Sequence, residues 1–327
     1  MDNLIFAAEV FVNGLMAGVL YSLVAIGFVL IYKASGIFNY AQGVMALFSA
    51  LTLVGLMNGQ VPFGHLINAI LGTQVHHFGW HLPVVAAIVL TMGVMVALAW
   101  IVQRIIFRHL VNQEPIILFM ATIGLAYFME GLGDMMWGAD IKKLDIGLPQ
   151  GINPWIDSFT ADLFGYGFFI DNLDIVATFI AAALVVVLVA FSHYTKQGRA
   201  MRAVADDHQA ALSVGISLNF IWILVWSLAG FVALVAGIMW GTKSGVQFSL
   251  SLIALKALPV LMLGGFTSIP GAIVGGLIIG VGEKLFEFAI GPIIGGATEN
   301  WFAYMLALLF LVFRPQGLFG ERIIERV

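Results

Sequence analysis

Lys256 sits in the run SLIALKALPVLMLGG, residues 251–265, which carries no other charged side chain. An ammonium in so apolar a setting needs water, a carboxylate or freed backbone carbonyls beside it. At mid-bilayer its insertion costs ~2.5–3.5 kcal/mol. Carboxylates that could meet it are Glu130 and Asp134, four apart on one helix face, and Glu283. Such a pair suits ion coupling or gating rather than bond-making. The alternative places Lys256 near a membrane interface, its segment being displaced. Glu283, Lys284 and Glu287 form a second group at i,i+1 and i,i+4 spacing near a helix end, where a snorkelling Lys is ordinary. Tyr21, Ser22, Asn39 and Gln42 add uncharged polar groups inside apolar runs. They either glue neighbouring helices or line a path or gate.

Bond-making chemistry finds little support. His76, His77 and His81 could bind a metal, but beside Trp80 and Pro83 they read as an interfacial belt, so no metal site is expected. Cys is absent, which removes thiolate ligands and thiol nucleophiles together. The nearest approach to a P-loop is GIMWGTKSG, residues 237–245, where Thr242 intervenes before the Lys. Neither HExxH nor GxSxG occurs. The chain is expected to be non-catalytic, with no catalytic residue and no cofactor of its own. Work against a gradient must then draw its energy from another polypeptide.

The elements that position these residues follow from composition. The chain is 61% hydrophobic and 10% charged over 327 residues, against ~25% charged for a soluble domain. Lipid is therefore the solvent for most of it. No basic tract is long enough to suggest nucleic acid. Apolar runs of roughly spanning length predict helices near 5–31, 36–57, 83–103, 115–137, 173–194, 218–241, 248–265, 271–290 and 297–313. The seventh and eighth are short or interrupted by Gly264, Gly265, Pro270 and Gly271. The expectation is an all-α, polytopic transmembrane bundle of about eight to ten spans, forming a single permease domain over residues 1–327. Glycines four apart (Gly14 and Gly18, Gly271 and Gly275, Gly276 and Gly280) predict close helix packing.

Lys and Arg distribution gives an orientation. With the N-terminus outside and the C-terminus cytoplasmic, the inner side holds Lys33, Arg104, Arg108, Lys196, Arg199, Arg202, Arg314, Arg322 and Arg326. The outer side holds Lys142, Lys143 and Lys243. The connections 58–82 and 138–172 then lie outside. On the inside falls KQGRAMRAVADDHQAALSVGIS, residues 196–217, a charged, alanine-rich and helix-prone segment that Gly215 can close. With little apolar face of its own, such a helix needs something to dock against. The plainer reading is a solvated loop that only orients the protein.

The order Gln209-Ala210-Ala211, three residues, then Gly215 resembles the EAA loop that seats ABC-transporter permeases on their ATPase. More specifically, GRAMRAVADDHQAALSVGIS and the helix ending AGFVALVAGIMWG resemble the permeases of branched-chain amino acid ABC transporters. GVLYSLVAIGFVLIYKASGIFNYAQG (18–43), LMLGGFTSIPGAIVGGLIIGVGE (261–283) and RPQGLFG (314–320) resemble that family's first hairpin, late glycine-rich segment and tail. Val44 departs from it, standing where relatives often carry an acidic residue.

The resemblance implies a bacterial inner-membrane importer subunit. Its partners would be a second homologous permease, two cytoplasmic ATPases carrying ATP-Mg, and an external or periplasmic substrate-binding protein. It places ATPase coupling at Gly198, Arg199, Arg202, Asp206, Asp207, Gln209, Ala210, Ala211 and Gly215. A path or gate is expected among Tyr21, Ser22, Asn39, Gln42, Lys256, Gly264, Gly265 and Glu283. The implied cargo is a branched-chain amino acid, with urea, amides or aromatic acids as alternatives. A self-sufficient secondary transporter or channel is the rival class.

Overall fold

The structure is a computed structural model that describes residues 2–72, 81–110 and 113–320. Each of the nine expected segments contains a helix, although the second begins only at Gln42 rather than near 36 and residues 248–252 form a 3-10 turn ahead of the seventh. The long helices are α1 (Asp2–Ser35), α2 (Gln42–Met57), α4 (Val84–Ile105), α5 (Pro115–Trp137), α7 (Asn172–Tyr194), α10 (Leu218–Ser244), α11 (Ile253–Gly264), α12 (Ile269–Ile294) and α13 (Glu299–Phe313). The connections 58–82 and 138–172 carry short helices of their own, α3 (Gly64–Leu71) and α6 (Pro154–Phe164). The 196–217 segment holds α8 (Lys196–Asp206) and α9 (His208–Ser213).

Among the described residues, α1, α4, α5, α7 and α10 are each long and apolar enough to cross a membrane. The segment Phe248–Gly264 and α12 pass only together and meet at a bend of 113°. That pair raises the count of candidate spans to six, while α2 and the Trp301–Phe313 part of α13 are shorter apolar helices. Length therefore separates the helices that the runs predict from those that cross a bilayer alone.

The helix starts are written locally. Asn153 accepts from the N–H groups of Trp155 and Ile156 at 3.1 and 3.0 Å, and Pro154 pre-sets the first turn of α6. Ser217 caps α10 through Phe220, and Ser268 caps α12 through Gly271.

The described chain divides into two compact units. One comprises Met1–Val29, Gly147–Val189 and Leu255–Val327; the other comprises Leu30–Ile146 and Ala190–Ala254. In the second unit α2 is the core: every residue from Gln42 to Gly55 is buried. A helix apolar on all sides belongs in such a place, and α10, α4 and α5 pack around it. The most apolar windows of α4 and α5 are only 22% and 28% buried, against 72% for α10. Their uncovered Val85, Val89, Trp100, Tyr127 and Phe128 are side chains for lipid.

In the first unit α1 and α12 approach closely. A Cβ on Gly14 would lie 2.8 Å from the Cα of Val281, and one on Gly18 would lie 2.8 Å from the Cα of Leu277. The four-residue glycine spacings are thus a packing seam, the arrangement that lets helices associate in lipid.

Candidate functional site

On this seam the charged cluster is assembled. Gly14, Gly18 and Tyr21 share one face of α1 at i, i+4 and i+7; Gly276, Gly280 and Glu283 repeat the pattern on α12. The glycines bring the two backbones together, and long side chains lean toward their own helix N-termini. Tyr21 and Glu283 therefore converge. The Tyr21 hydroxyl donates to Glu283 Oε1 at 2.8 Å. Lys256, on α11, donates to the same oxygen at 3.2 Å and to the Tyr21 hydroxyl at 3.3 Å. Its Nζ also lies 5.5 Å from the centre of the Tyr21 ring. Of the three carboxylates that the sequence offers, Glu283 is the one found at ion-pair distance from Lys256. Exposure is uneven: the Lys256 side chain is 32% exposed, Glu283 only 1%. Glu283 Oε2 is buried with no hydrogen-bond partner among the described residues.

Ser22 lies one residue on from Tyr21; its hydroxyl donates to the carbonyls of Gly18 at 2.8 Å and, across to α12, of Ile273 at 3.3 Å. Lys284 turns away from the cluster to pair with Glu299 at 2.7 Å. Glu287 accepts from the N–H groups of Ala297 and Thr298 and from the Thr298 hydroxyl, fixing the turn before α13.

At the break between α11 and α12, Gly265 adopts φ +101°, a conformation that side chains rarely tolerate. Carbonyls at the end of α11 lack intrahelical partners. The tail supplies them: Leu318 N–H donates to the Leu263 carbonyl at 2.8 Å and Phe319 N–H to the Gly264 carbonyl at 3.2 Å. A Cβ on Gly317 would fall 2.7 Å from the Gly265 nitrogen. RPQGLFG is therefore a cap seated on the broken helix, a role not visible in the sequence because the two stretches are far apart in the chain.

Asn39 and Gln42 lie in the second unit and are 0% and 1% exposed. Asn39 donates to Gln42 Oε1 at 3.2 Å and accepts from Ala41 N–H at 3.1 Å, while Gln42 donates to the Ala229 carbonyl at 3.2 Å. Through Gln42 this bonding ties α2 to α10. Glu130 is half-buried and Asp134 exposed. His81 Nδ1 lies 3.3 Å from the Met57 carbonyl oxygen; His76, His77 and Trp80 fall outside the described residues.

The 196–217 segment is two helices rather than the single one expected, because Asp207 leaves the helical region (φ −157°, ψ 114°). Its carboxylate accepts from the N–H groups of Gln209 and Ala210 at 2.7 and 3.0 Å and so starts α9. These backbone donors, Ala210 first and then Gln209, hold the Asp207 carboxyl below the ordinary Asp range. Thr195 caps α8 in the same way, through Gly198 at 2.9 Å. At the other end Gly215, φ +84°, donates to Leu212 and Ile216 donates to Ala211, both at 3.0 Å. That pair of bonds is a Schellman closure.

The inner face of this helix pair is Met201, Val204 and Ala211, all buried, and both helices pack on α10. Gly198 is also buried, against the carbonyls of Phe191 and Ser192. Ala211 and Gly198 thus face their own chain. Asp206, Gln209, Ala210 and Gly215 are exposed, and Leu212 and Val214 join them at 52% and 75%. Arg199 is exposed, and Arg202 lies 2.9 Å from His193 Nδ1. Leu212 and Val214 were missed by sequence reading; their signal is two large apolar side chains in an otherwise polar, solvent-facing turn.

A polytopic helical membrane protein with a broken span, a half-buried ion pair and a capped helical segment between two apolar helices is the class that fold and site define. Residues 10–314 match the family described as "Branched-chain amino acid transport system / permease component". The chain belongs to this family, that of the transmembrane permease subunits of ABC importers. It is 28% identical to the high-affinity branched-chain amino acid transport system permease protein LivH of Escherichia coli (strain K12), over 99% of this chain and 98% of that one. It is 29% identical to BraD of Pseudomonas aeruginosa, over 97% and 96%. It is 24% identical to the fructose import permease protein FrcC of Rhizobium meliloti, over 76% and 66%.

Proposed function

We propose that the chain carries branched-chain amino acids across a bacterial inner membrane, with its N-terminus outside and the 196–217 segment in the cytoplasm. A second homologous permease pairs with it, two ATPases bind from inside, and an external binding protein delivers the solute. The names of LivH and BraD favour this cargo over a related small polar solute such as urea, an amide or an aromatic acid; FrcC, named for a sugar, is the more distant of the three relatives. The orientation rests on the excess of Lys and Arg on the side of 196–217.

The observation that carries the coupling role is the capping of α8 and α9 and their packing on α10, beside an exposed apolar knob. Both helices are capped at their starts, α9 is closed at its end, and their inner face packs on α10. A push on Leu212, Val214 and Gly215 would reach α10 without being absorbed by a flexible loop. Arg199, Arg202, Asp206, Asp207, Gln209 and Ala210 supply the polar surround, with Gly198 and Ala211 holding the element to its own chain. In the first unit Tyr21, Ser22, Lys256 and Glu283 form the gate, and Gly264–Gly265 is the hinge beside it.

Val214→Asp and Gly215→Trp test the coupling. Both are expected to release the ATPase subunits during co-purification and to lower ATP-dependent uptake at least tenfold. ATPases retained at full stoichiometry with normal uptake would overturn this assignment.

A further inference from the structure

We propose that Lys256 and Glu283 discriminate for zwitterions, Lys256 taking a substrate carboxylate while Glu283 takes its ammonium. This rests on the gate reading above and names what the gate selects. Lys256 and Glu283 already satisfy each other in part, through Oε1 alone. A ligand that took only one of them would leave the other charge uncompensated, at the greater cost for Glu283, whose side chain is only 1% exposed. A carboxylate alone would strip Lys256 from Glu283; an amine alone would strip Glu283 from Lys256. A neutral sugar replaces neither. An α-amino acid carries both charged groups on one carbon, so it exchanges one internal pair for two new ones.

The asymmetry of the site fits this order of events. The Lys256 side chain is the more exposed member, placed to meet an incoming carboxylate first. Glu283 Oε2 is an acceptor with no partner among the described residues, so an ammonium adds a bond there without displacing one. Tyr21 donates to Oε1 and holds the carboxylate in place while Lys256 moves. The Tyr21 ring, 5.5 Å from Lys256 Nζ, offers a π-face to whichever cation is adjacent.

The test uses the detergent-solubilised permease–ATPase assembly without its binding protein, so that the receptor's own selectivity does not enter. Leucine, isocaproate (the carboxylate without the amine) and isoamylamine (the amine without the carboxylate) are each titrated while the thermal unfolding midpoint is read. Leucine is expected to raise the midpoint, and the two singly charged analogues to leave it unchanged. Lys256→Met and Glu283→Gln should each abolish the leucine response. The exchanged pair, Lys256→Glu with Glu283→Lys, should restore part of it. Equal responses to all three ligands, or a leucine response that survives in either single variant, would overturn the proposal. If single variants fail to assemble, the ligand series on the wild-type assembly still decides it. Failure of the transport reading looks different: the complete wild-type assembly, with receptor and ATP, would then take up no branched-chain amino acid.

Discussion

Asp207 illustrates how one side chain decides both a structure and a pH response. Its carboxylate satisfies two of the N–H groups that begin α9, and a cap of this kind is strongest when ionised. Because the folded group sits below the ordinary value of 3.8, its contribution is fully present above that value. It is lost as pH falls through the lower, folded value. Amide exchange in α9, followed by mass spectrometry, is therefore expected to accelerate only on acidification below the ordinary Asp range. Asp207→Asn keeps an accepting oxygen and should make that protection independent of pH, whereas Asp207→Ala should lose it throughout. An Asn variant that retained the acid sensitivity would assign the effect to another group. The candidate site was partly legible at this scale. Lys256 announced itself because an isolated charge in an apolar run has few tolerable surroundings, and Glu283 was among the partners that run allowed. The choice among Glu130, Asp134 and Glu283 was not legible, since it depends on which helices the glycine seam brings together.

Among the elements, the broken pair α11–α12 depends on a tail that lies some fifty residues further along the chain. Two carbonyls at the end of α11 would be without partners if Leu318 and Phe319 were removed, at ~1–3 kcal/mol for each such group. Gly317, φ +80°, allows this seating both by its conformation and by its lack of a Cβ beside Gly265. Gly317→Val is expected to cost ~1–3 kcal/mol through the strained backbone alone, and to unseat the tail. The Leu318 and Phe319 amides should then exchange rapidly while those of α10 stay protected; unchanged protection at both would refute the capping role. Helix positions were legible because apolar runs are long and their breakers, Gly264, Gly265 and Pro270, fall at the bend itself. The division of 196–217 at Asp207 was hidden, because the alanine-rich stretch has helix propensity throughout and only the cap reveals the break. The helices α3 and α6 were hidden for a different reason: at 8 and 11 residues they are too short to stand out inside polar connections.

For the whole molecule the question is where the energy for accumulation enters. Concentrating a solute a thousandfold costs ~4 kcal/mol, and a membrane protein meets that cost either from an ion gradient through its own charges or from a partner that hydrolyses nucleotide. The sequence offers no phosphate-binding loop, since Thr242 interrupts the nearest approach to one. The ion pair on the first unit joins one Lys to one Glu, and Tyr21 shares the same carboxylate oxygen. That arrangement suits exchange with a zwitterionic solute better than uptake of a driving ion, which would have to break the pair with nothing to compensate Lys256. Membership of the importer-permease family points the same way. The chain reconstituted alone in liposomes is therefore expected to show no accumulation of leucine above the bath concentration, with or without an imposed proton or sodium gradient. Adding the ATPases, the second permease, the binding protein and ATP should restore it, and a non-hydrolysable nucleotide should not. Gradient-driven accumulation by the chain alone would return the secondary-transporter reading and remove any need for α8 and α9 to bear a load.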